Sequence, residues 1–247
     1  MKALITGASS GIGKEMAIYL AELEVDLILV ARRKNKLEEL KDILKTKVEI
    51  ICMDISSAQD CIGLYKQVKD VDILINNAGF GVFGEFENTS LISEMEMINT
   101  NICATHTLTK LFLKDMKKKD EGYILNVSSI AAFMPGPLMA AYYATKSYVQ
   151  RLTESIYEEL RREKSNVSIS CLCPGPTKTE FMEKAGVKFN TKHANSRYVA
   201  RYAIDKMFKG KLVILPGINT KCIRFLSKIV PDKIIARFAY IMQEKRR

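Results

Sequence analysis

Short apolar runs recur along this chain at Lys2–Thr6, Leu27–Ala31, Val48–Cys52, Val71–Ile75, Tyr123–Val127, Val167–Cys173 and Lys211–Leu215. Most are apolar at consecutive positions instead of alternating, which is the pattern of strands covered on both faces. Between them lie longer amphipathic stretches such as Lys14–Glu24, Lys34–Lys45, Leu91–Lys119 and Ser147–Lys164. This alternation is βαβ repeated, and it predicts an α/β fold, a doubly wound parallel sheet with helices on both faces. No linker, repeat or low-complexity segment interrupts the 247 residues, so 1–247 read as one domain. Within it, 180–200 is polar and lies between a strand and a helix, a candidate lid. The segment 216–247 is a basic amphipathic extension in which Pro231 is placed to start a helix.

Apolar residues make up 47% and charged residues 27%, which excludes collagen-like and disordered chains. There is no Trp, and the two His, His106 and His193, leave little for a His-based metal site, so none is expected. Six Cys without a CxxC pair read as small apolar residues of a reducing compartment. The opening Met1-Lys2-Ala3-Leu4-Ile5-Thr6-Gly7 gives way at once to a Gly/Ser loop, unlike a signal peptide, and a cytoplasmic location is expected. The uncharged stretch Ile124–Thr145 imitates a membrane span but contains Asn126, Ser128, Ser129 and Pro135-Gly136-Pro137. It reads instead as a buried strand, a loop and the start of a helix.

Charge is unevenly spread. From Asp205 to Arg247 there are 11 basic and 3 acidic residues, so this tail carries +8 of the net +10. Such a tail suits an anionic lipid surface or nucleic acid, whereas a solvated amphipathic helix is the simpler reading; nucleic acid is not expected. Ile234, Ile235, Phe238, Ile241 and Met242 share one helical flank, with Lys233, Arg237 and Lys245 elsewhere. Packing of that flank on the protein is preferred over a membrane surface.

Thr6-Gly7-Ala8-Ser9-Ser10-Gly11-Ile12-Gly13 joins the first run directly to the first helical stretch. Gly7 permits a tight turn, Gly11 a close backbone approach to a pyrophosphate, and Gly13 close packing of helix on strand. The N–H groups at the helix start, with Ser9, Ser10 and Ile12 beside them, then face an anion. An acidic residue about 20 residues on would bind the ribose 2′-hydroxyl of NAD, whereas Arg there accommodates the 2′-phosphate of NADP. The second strand ends Ala31-Arg32-Arg33-Lys34 with no carboxylate. Arg32 and Arg33 therefore favour NADP(H) over NAD(H).

Tyr-x-x-x-Lys places two side chains on one helix face. Three pairs occur, Tyr65/Lys69, Tyr142/Lys146 and Tyr202/Lys206, and only Tyr142 begins a helix just after a strand ending Asn126-Val127-Ser128-Ser129. Ligands of open α/β sheets bind at the carboxyl ends of strands, so position selects Tyr142. Together with Asn76-Asn77-Ala78-Gly79 after the fourth strand, Ser129 thirteen residues before Tyr142, and Pro174-Gly175-Pro176-Thr177-Lys178-Thr179 after the sixth, these motifs make the chain resemble the short-chain dehydrogenase/reductase family over nearly its whole length.

The resemblance implies a Rossmann-like seven-stranded sheet, an NAD(P)(H) cofactor and reversible carbonyl/alcohol chemistry on a small-molecule substrate. Tyr142 would donate the proton in reduction and accept it in oxidation. A free phenol, with a pKa near 10, is a reluctant shuttle, and a nearby Lys146 ammonium would lower it. Lys146 would also hydrogen bond the nicotinamide ribose. Ser129 would hold the substrate oxygen, with Ser128 as rival. Asn101 would hold a water linking Lys146 to solvent, with Asn99 as the competing register. Asp54 and Ile55 would border the adenine, Asn77, Ala78 and Gly79 would line the cofactor, and Pro174, Gly175, Thr177 and Thr179 would hold its nicotinamide end. A homodimer or homotetramer is expected, with His106 in core or interface. Phe80, Phe83, Phe133 and Met134 hint at an apolar substrate, and Met95, Met97, Met116 and Met139 are pocket or core residues. Two alternatives remain: a membrane-surface reductase of a lipid-like ketone or 3-oxoacyl substrate, and a non-catalytic NADP-binding sensor.

Overall fold

The apolar runs assemble side by side into one parallel seven-stranded sheet in the order β3-β2-β1-β4-β5-β6-β7. The strands are β1 (Lys2–Thr6), β2 (Asp26–Ala31), β3 (Val48–Cys52), β4 (Ile73–Asn76), β5 (Tyr123–Val127), β6 (Ser168–Leu172) and β7 (Val213–Ile214). The helices are α1 (Gly11–Glu22), α2 (Lys34–Ile43), α3 (Ala58–Gln67), α4 (Leu91–Ile98), α5 (Thr105–Lys119), α6 (Ala140–Glu163), α7 (Ser196–Phe208), α8 (Ile218–Leu226) and α9 (Asp232–Glu244). This computed structural model describes residues 1–181 and 193–244.

Consecutive apolar residues in the strands are explained by two cores. Ala3, Ile5, Leu27 and Leu29 face one side, against Met16 and Leu20 of α1 and Ala203 and Met207 of α7. Leu4, Ile28, Leu74 and Ile124 face the other, against Leu64 of α3 and Leu108 and Phe112 of α5. Neither face is left to water, so no polar position is needed along these strands.

One stripe of the second face is polar. Asn76 and Asn126 are register partners on β4 and β5. Asn76 Nδ2 donates to Asn126 Oδ1 at 2.8 Å and to Thr109 Oγ1 at 3.0 Å, Thr109 Oγ1 donates to Asn126 Oδ1 at 3.2 Å, and Asn126 Nδ2 donates to Thr153 Oγ1 at 3.0 Å. All four side chains are buried.

Three expected helix boundaries move. The stretch Leu91–Lys119 is two helices joined by a π-helical turn, Asn99–Ala104. The extra residue in that turn rotates Asn101 into the protein, where its side-chain hydrogen bonds hold it. Helix α6 begins at Ala140 instead of Ser147, and α1 begins at Gly11 instead of Lys14. Ile124–Thr145 is indeed β5, a short 3₁₀ turn (Ile130–Phe133) and the start of α6. Most of the candidate lid, 182–192, lies outside the described residues, as do 245–247. Its flanks are stapled together: Lys178 N donates to Ala194 O at 3.1 Å, and Ala194 N donates to Pro176 O at 3.0 Å. Among the described residues no helix is long and apolar enough to cross a membrane.

Candidate active site

The sheet order reverses between β1 and β4, and an α/β sheet offers its binding crevice at such a crossover. A cleft of about 560 Å³ opens there, within the ordinary range for small-molecule sites. Of the residues picked from sequence, Gly7, Ser9, Ser10, Gly11, Ile12, Arg32, Arg33, Asp54, Ile55, Asn77, Ala78, Gly79, Ser129, Tyr142, Lys146, Pro174, Gly175, Thr177 and Thr179 all line it. Gly13 and Asn101 do not; both stand directly behind the wall and shape it.

The glycine loop is as tight as the spacing predicts. Gly7 has φ +64°, and a Cβ there would lie 2.8 Å from Ala78 Cα. A Cβ on Gly13 would lie 2.3 Å from Asn77 Nδ2. Asn77 spends its amide on the loop itself, donating to Thr6 O at 3.0 Å and Gly7 O at 3.2 Å. Ser10 precedes α1 without a side-chain cap, so the first N–H groups of the helix are not consumed by it. That is a cradle for a pyrophosphate.

At one end of the cleft, Arg33 Nη2 donates to Ser9 Oγ at 3.0 Å, and Arg33 Nη1 lies 2.8 Å from Glu180 Oε2. Arg32 Nη1 reaches Asp54 Oδ2 at 3.4 Å. Burial acts to raise the Asp54 carboxyl, but the Ser56 N–H and the Arg32 guanidinium together hold it below its ordinary value. Glu180 was not singled out in the sequence beyond its place in the lid, because its pairing with Arg33 joins positions far apart in the chain.

At the other end, α6 presents Tyr142 and Lys146 one turn apart beside the tip of β5. Ser129 Oγ accepts from Ala131 N at 3.1 Å, on the same cleft wall as Tyr142. Ser128 also lines the cleft, but its Oγ is engaged in donating to Lys146 O at 2.7 Å. Burial pushes the Tyr142 phenol well above its ordinary value, opposed by the Ser129 hydrogen bond and reinforced by Tyr143. Lys146 Nζ donates to Val127 O at 3.0 Å and lies 5.9 Å from the Tyr142 ring centre, and burial pushes the amine down to about 8.

Asn101 is the buried member of its pair, whereas Asn99 is half-buried and its Oδ1 accepts from Cys103 Sγ at 3.7 Å. Asn101 Oδ1 accepts from Phe80 N at 3.1 Å, and its Nδ2 donates to Phe80 O and Thr145 Oγ1, both at 3.0 Å. It therefore ties the loop after β4 to α6. Gly79 lets Asn101 and Lys146 approach: a Cβ there would lie 2.8 Å from Asn101 Oδ1 and 3.3 Å from Lys146 Nζ.

Phe80, Met134 and Met139 line the cleft, while Phe83, Phe133, Met95, Met97 and Met116 do not. Phe133 instead lies under the Arg224 guanidinium. Sequence reasoning missed Tyr143, Phe181, Ile223, Ala239 and Met242 as cleft residues. The Phe181 ring packs 5.3 Å from that of Tyr142. The last three arrive on α8 and α9, which line that part of the cleft, and Gln243 Nε2 donates to Tyr143 OH at 2.8 Å. Amphipathicity alone marked those helices. His106, placed in core or interface from sequence, is half-buried and its Nδ1 pairs with Tyr148 OH at 2.7 Å.

A doubly wound parallel sheet with a glycine-rich loop at its crossover defines the Rossmann-like class of nucleotide-binding proteins. Within that class the match is specific: the sequence model described as "short chain dehydrogenase" covers residues 1–188, and the chain belongs to this family of oxidoreductases. It is 33% identical over 196 residues to dehydrogenase/reductase SDR family member 11 of Bos taurus, covering 74% of this chain and 76% of that protein. A short-chain dehydrogenase from Sphingobium yanoikuyae, solved in complex with NADPH, superposes with a TM-score of 0.82 at 27% identity, covering 93% of this chain and 96% of that one. One from Burkholderia phymatum, in complex with NAD, has a TM-score of 0.83 at 24% identity over 91% and 92% of the two chains, a likeness of fold.

Proposed function

We propose that this protein is an NADP(H)-dependent reductase/dehydrogenase that exchanges hydride between the nicotinamide and a carbonyl or alcohol substrate, with Tyr142 as acid and base. The observation that carries the reading is that Ser129, Tyr142 and Lys146 line the same cleft as the glycine cradle. The residues fit the cofactor. Gly7 and Gly11 leave room that a Cβ would fill, and Ser9, Arg32 and Arg33 offer hydroxyl and guanidinium groups where a 2′-phosphate would lie. The NADPH complex of the Sphingobium yanoikuyae neighbour supports a nicotinamide cofactor, and the preference for its phosphorylated form rests on Arg32 and Arg33.

When bound, the cofactor supplies or takes up hydride at the substrate carbon. A phenol raised by burial is fully protonated near pH 7, so Tyr142 Oη holds the proton that the substrate oxygen requires in reduction. Ser129 Oγ orients that oxygen and stabilises charge developing on it. Lys146 holds the ribose and, as ammonium, favours the phenolate once the proton has left. Asn101 is a positioning residue, fixing Phe80 and Thr145 around the amine. Phe80, Met134, Met139 and Phe181 make the substrate side apolar, which supports an apolar carbonyl compound. All six cysteines are free, in keeping with a cytoplasmic setting. Exposed Phe86, Leu91, Ile92 and Met95 around α4 support a homodimer or homotetramer.

Tyr142→Phe tests the reading. Turnover of an aldehyde or ketone with NADPH should fall at least about 100-fold, while NADPH binding, followed by fluorescence, is retained. Loss of only a few-fold overturns the acid/base assignment. Tight NADPH binding with no consumption over a broad carbonyl panel would favour the sensor reading.

A further inference from the structure

The outer flank of α8 and α9 leaves several large apolar side chains uncovered. Ile218 is 76% exposed, Phe225 64%, Ile229 63% and Phe238 65%. Isolated apolar residues on a surface are ordinary, but a contiguous set on two successive helices marks an interaction site. Packing against the protein, preferred from sequence, accounts for only one edge: α9 buries Ala239 and Gln243 and leaves Ile234, Phe238 and Ile241 in solvent.

Charge decides what covers this flank. Lys221, Lys228, Lys233 and Arg237 are exposed among the apolar side chains, against the single carboxylate Asp232 between them. The segment from Asp205 onward carries 11 basic and 3 acidic residues. A second copy docking by the same flank would bring two such clusters together, because a two-fold interface apposes identical patches. An anionic lipid surface meets both requirements at once, taking the apolar side chains into its headgroup boundary and the cations onto its phosphates.

Position adds a second argument. Met242 is 55% exposed on this flank and also lines the cleft, as does Ile223 of α8. The substrate side of the cleft therefore reaches the surface through these two helices.

We propose that α8 and α9 form a docking surface for anionic lipid membrane, and that the cleft receives a membrane-dissolved carbonyl compound through it. The docking stands on surface chemistry alone; the delivery rests on the reductase reading above.

The test is sedimentation of the full chain with sucrose-loaded vesicles, without cofactor or substrate, so that its failure is distinct from failure of the catalytic assignment. The protein should pellet with vesicles of phosphatidylcholine containing about one third phosphatidylglycerol, and far less with phosphatidylcholine alone. Lys228→Glu/Lys233→Glu/Arg237→Glu should weaken binding on the order of 100-fold, and Phe225→Ser/Phe238→Ser by at least about tenfold. Both variants should keep wild-type turnover of a water-soluble carbonyl, showing that they fold. Protein that stays in the supernatant with anionic vesicles at 0.1 M salt overturns the proposal. So does undiminished pelleting of both variants, or a wild-type dimer that these substitutions convert to monomer, which would assign the flank to a second copy.

Discussion

At the residue scale, Lys146 carries an opposition between stability and function. An ordinary lysine amine titrates at 10.5, and this buried one at about 8. Between those values the unfolded chain binds the proton that the folded chain has lost, so stability rises with pH across that window. Below about 8 both states are charged, and the fold carries the full penalty of a buried ammonium, on the order of 3 kcal/mol. Lys146→Met removes that penalty and forfeits one hydrogen bond to Val127 O. We therefore expect the variant to gain about 1–2 kcal/mol at pH 7, the advantage shrinking towards pH 10, while activity is lost. Urea unfolding at the two pH values checks this. Gly136 is a second sensitive position: a Cβ there would lie 2.2 Å from the Tyr143 ring. Gly136→Ala should cost about 1–3 kcal/mol by displacing that ring. Since Tyr143 also holds Gln243, KM for substrate should rise while NADPH affinity holds, read by steady-state kinetics and cofactor titration.

At the scale of elements, the π-helical turn Asn99–Ala104 turns one amide inward to three partners. Asn101→Ala leaves the Phe80 backbone groups and the Thr145 hydroxyl without it. A loss of about 2–4 kcal/mol in thermal unfolding is expected, together with a fall in kcat larger than any change in NADPH affinity. The pattern of elements was legible in the chain because strands buried on both faces need unbroken apolar runs, and Leu4 and Ile5 show both faces in use. The glycine loop and Tyr142/Lys146 were legible because each requires particular residue types at fixed spacing. The turn at Asn101 was not, since a local helical pattern runs straight through Leu91–Lys119 and only contacts with Phe80 and Thr145 favour the extra residue. Nor was the hydrogen bond from Lys146 to Val127 O, because it joins α6 to the end of β5 through the fold and not through local pattern. The roof of the cleft escaped for a related reason: Ile223 and Met242 acquire their role only when the far end of the chain folds back.

At the scale of the whole molecule, exposed ion pairs contribute little to the fold. Lys34–Glu38, Arg161–Glu158 and Lys119–Asp70 are all well solvated, and such pairs are worth about 0–1 kcal/mol each. A net charge of +10 also makes the molecule repel itself. Raising NaCl from 0.05 to 0.5 M, round values about a tenfold step apart, screens both terms, so the melting temperature should move by no more than about 3 °C. A larger fall would mean that these pairs hold the fold. The stripe Asn76–Thr109–Asn126–Thr153 has a different reach. Apolar neighbours on parallel strands would tolerate sliding, but two amides facing each other on β4 and β5 recognise only one alignment. A nascent chain that joined these strands out of step would strand dehydrated amides in its interior, at about 1–3 kcal/mol for each unmet group. Since Asn77 and Ser129 lie just beyond those two strands, the one alignment that the paired amides accept also sets where the two loops that wall the cleft begin.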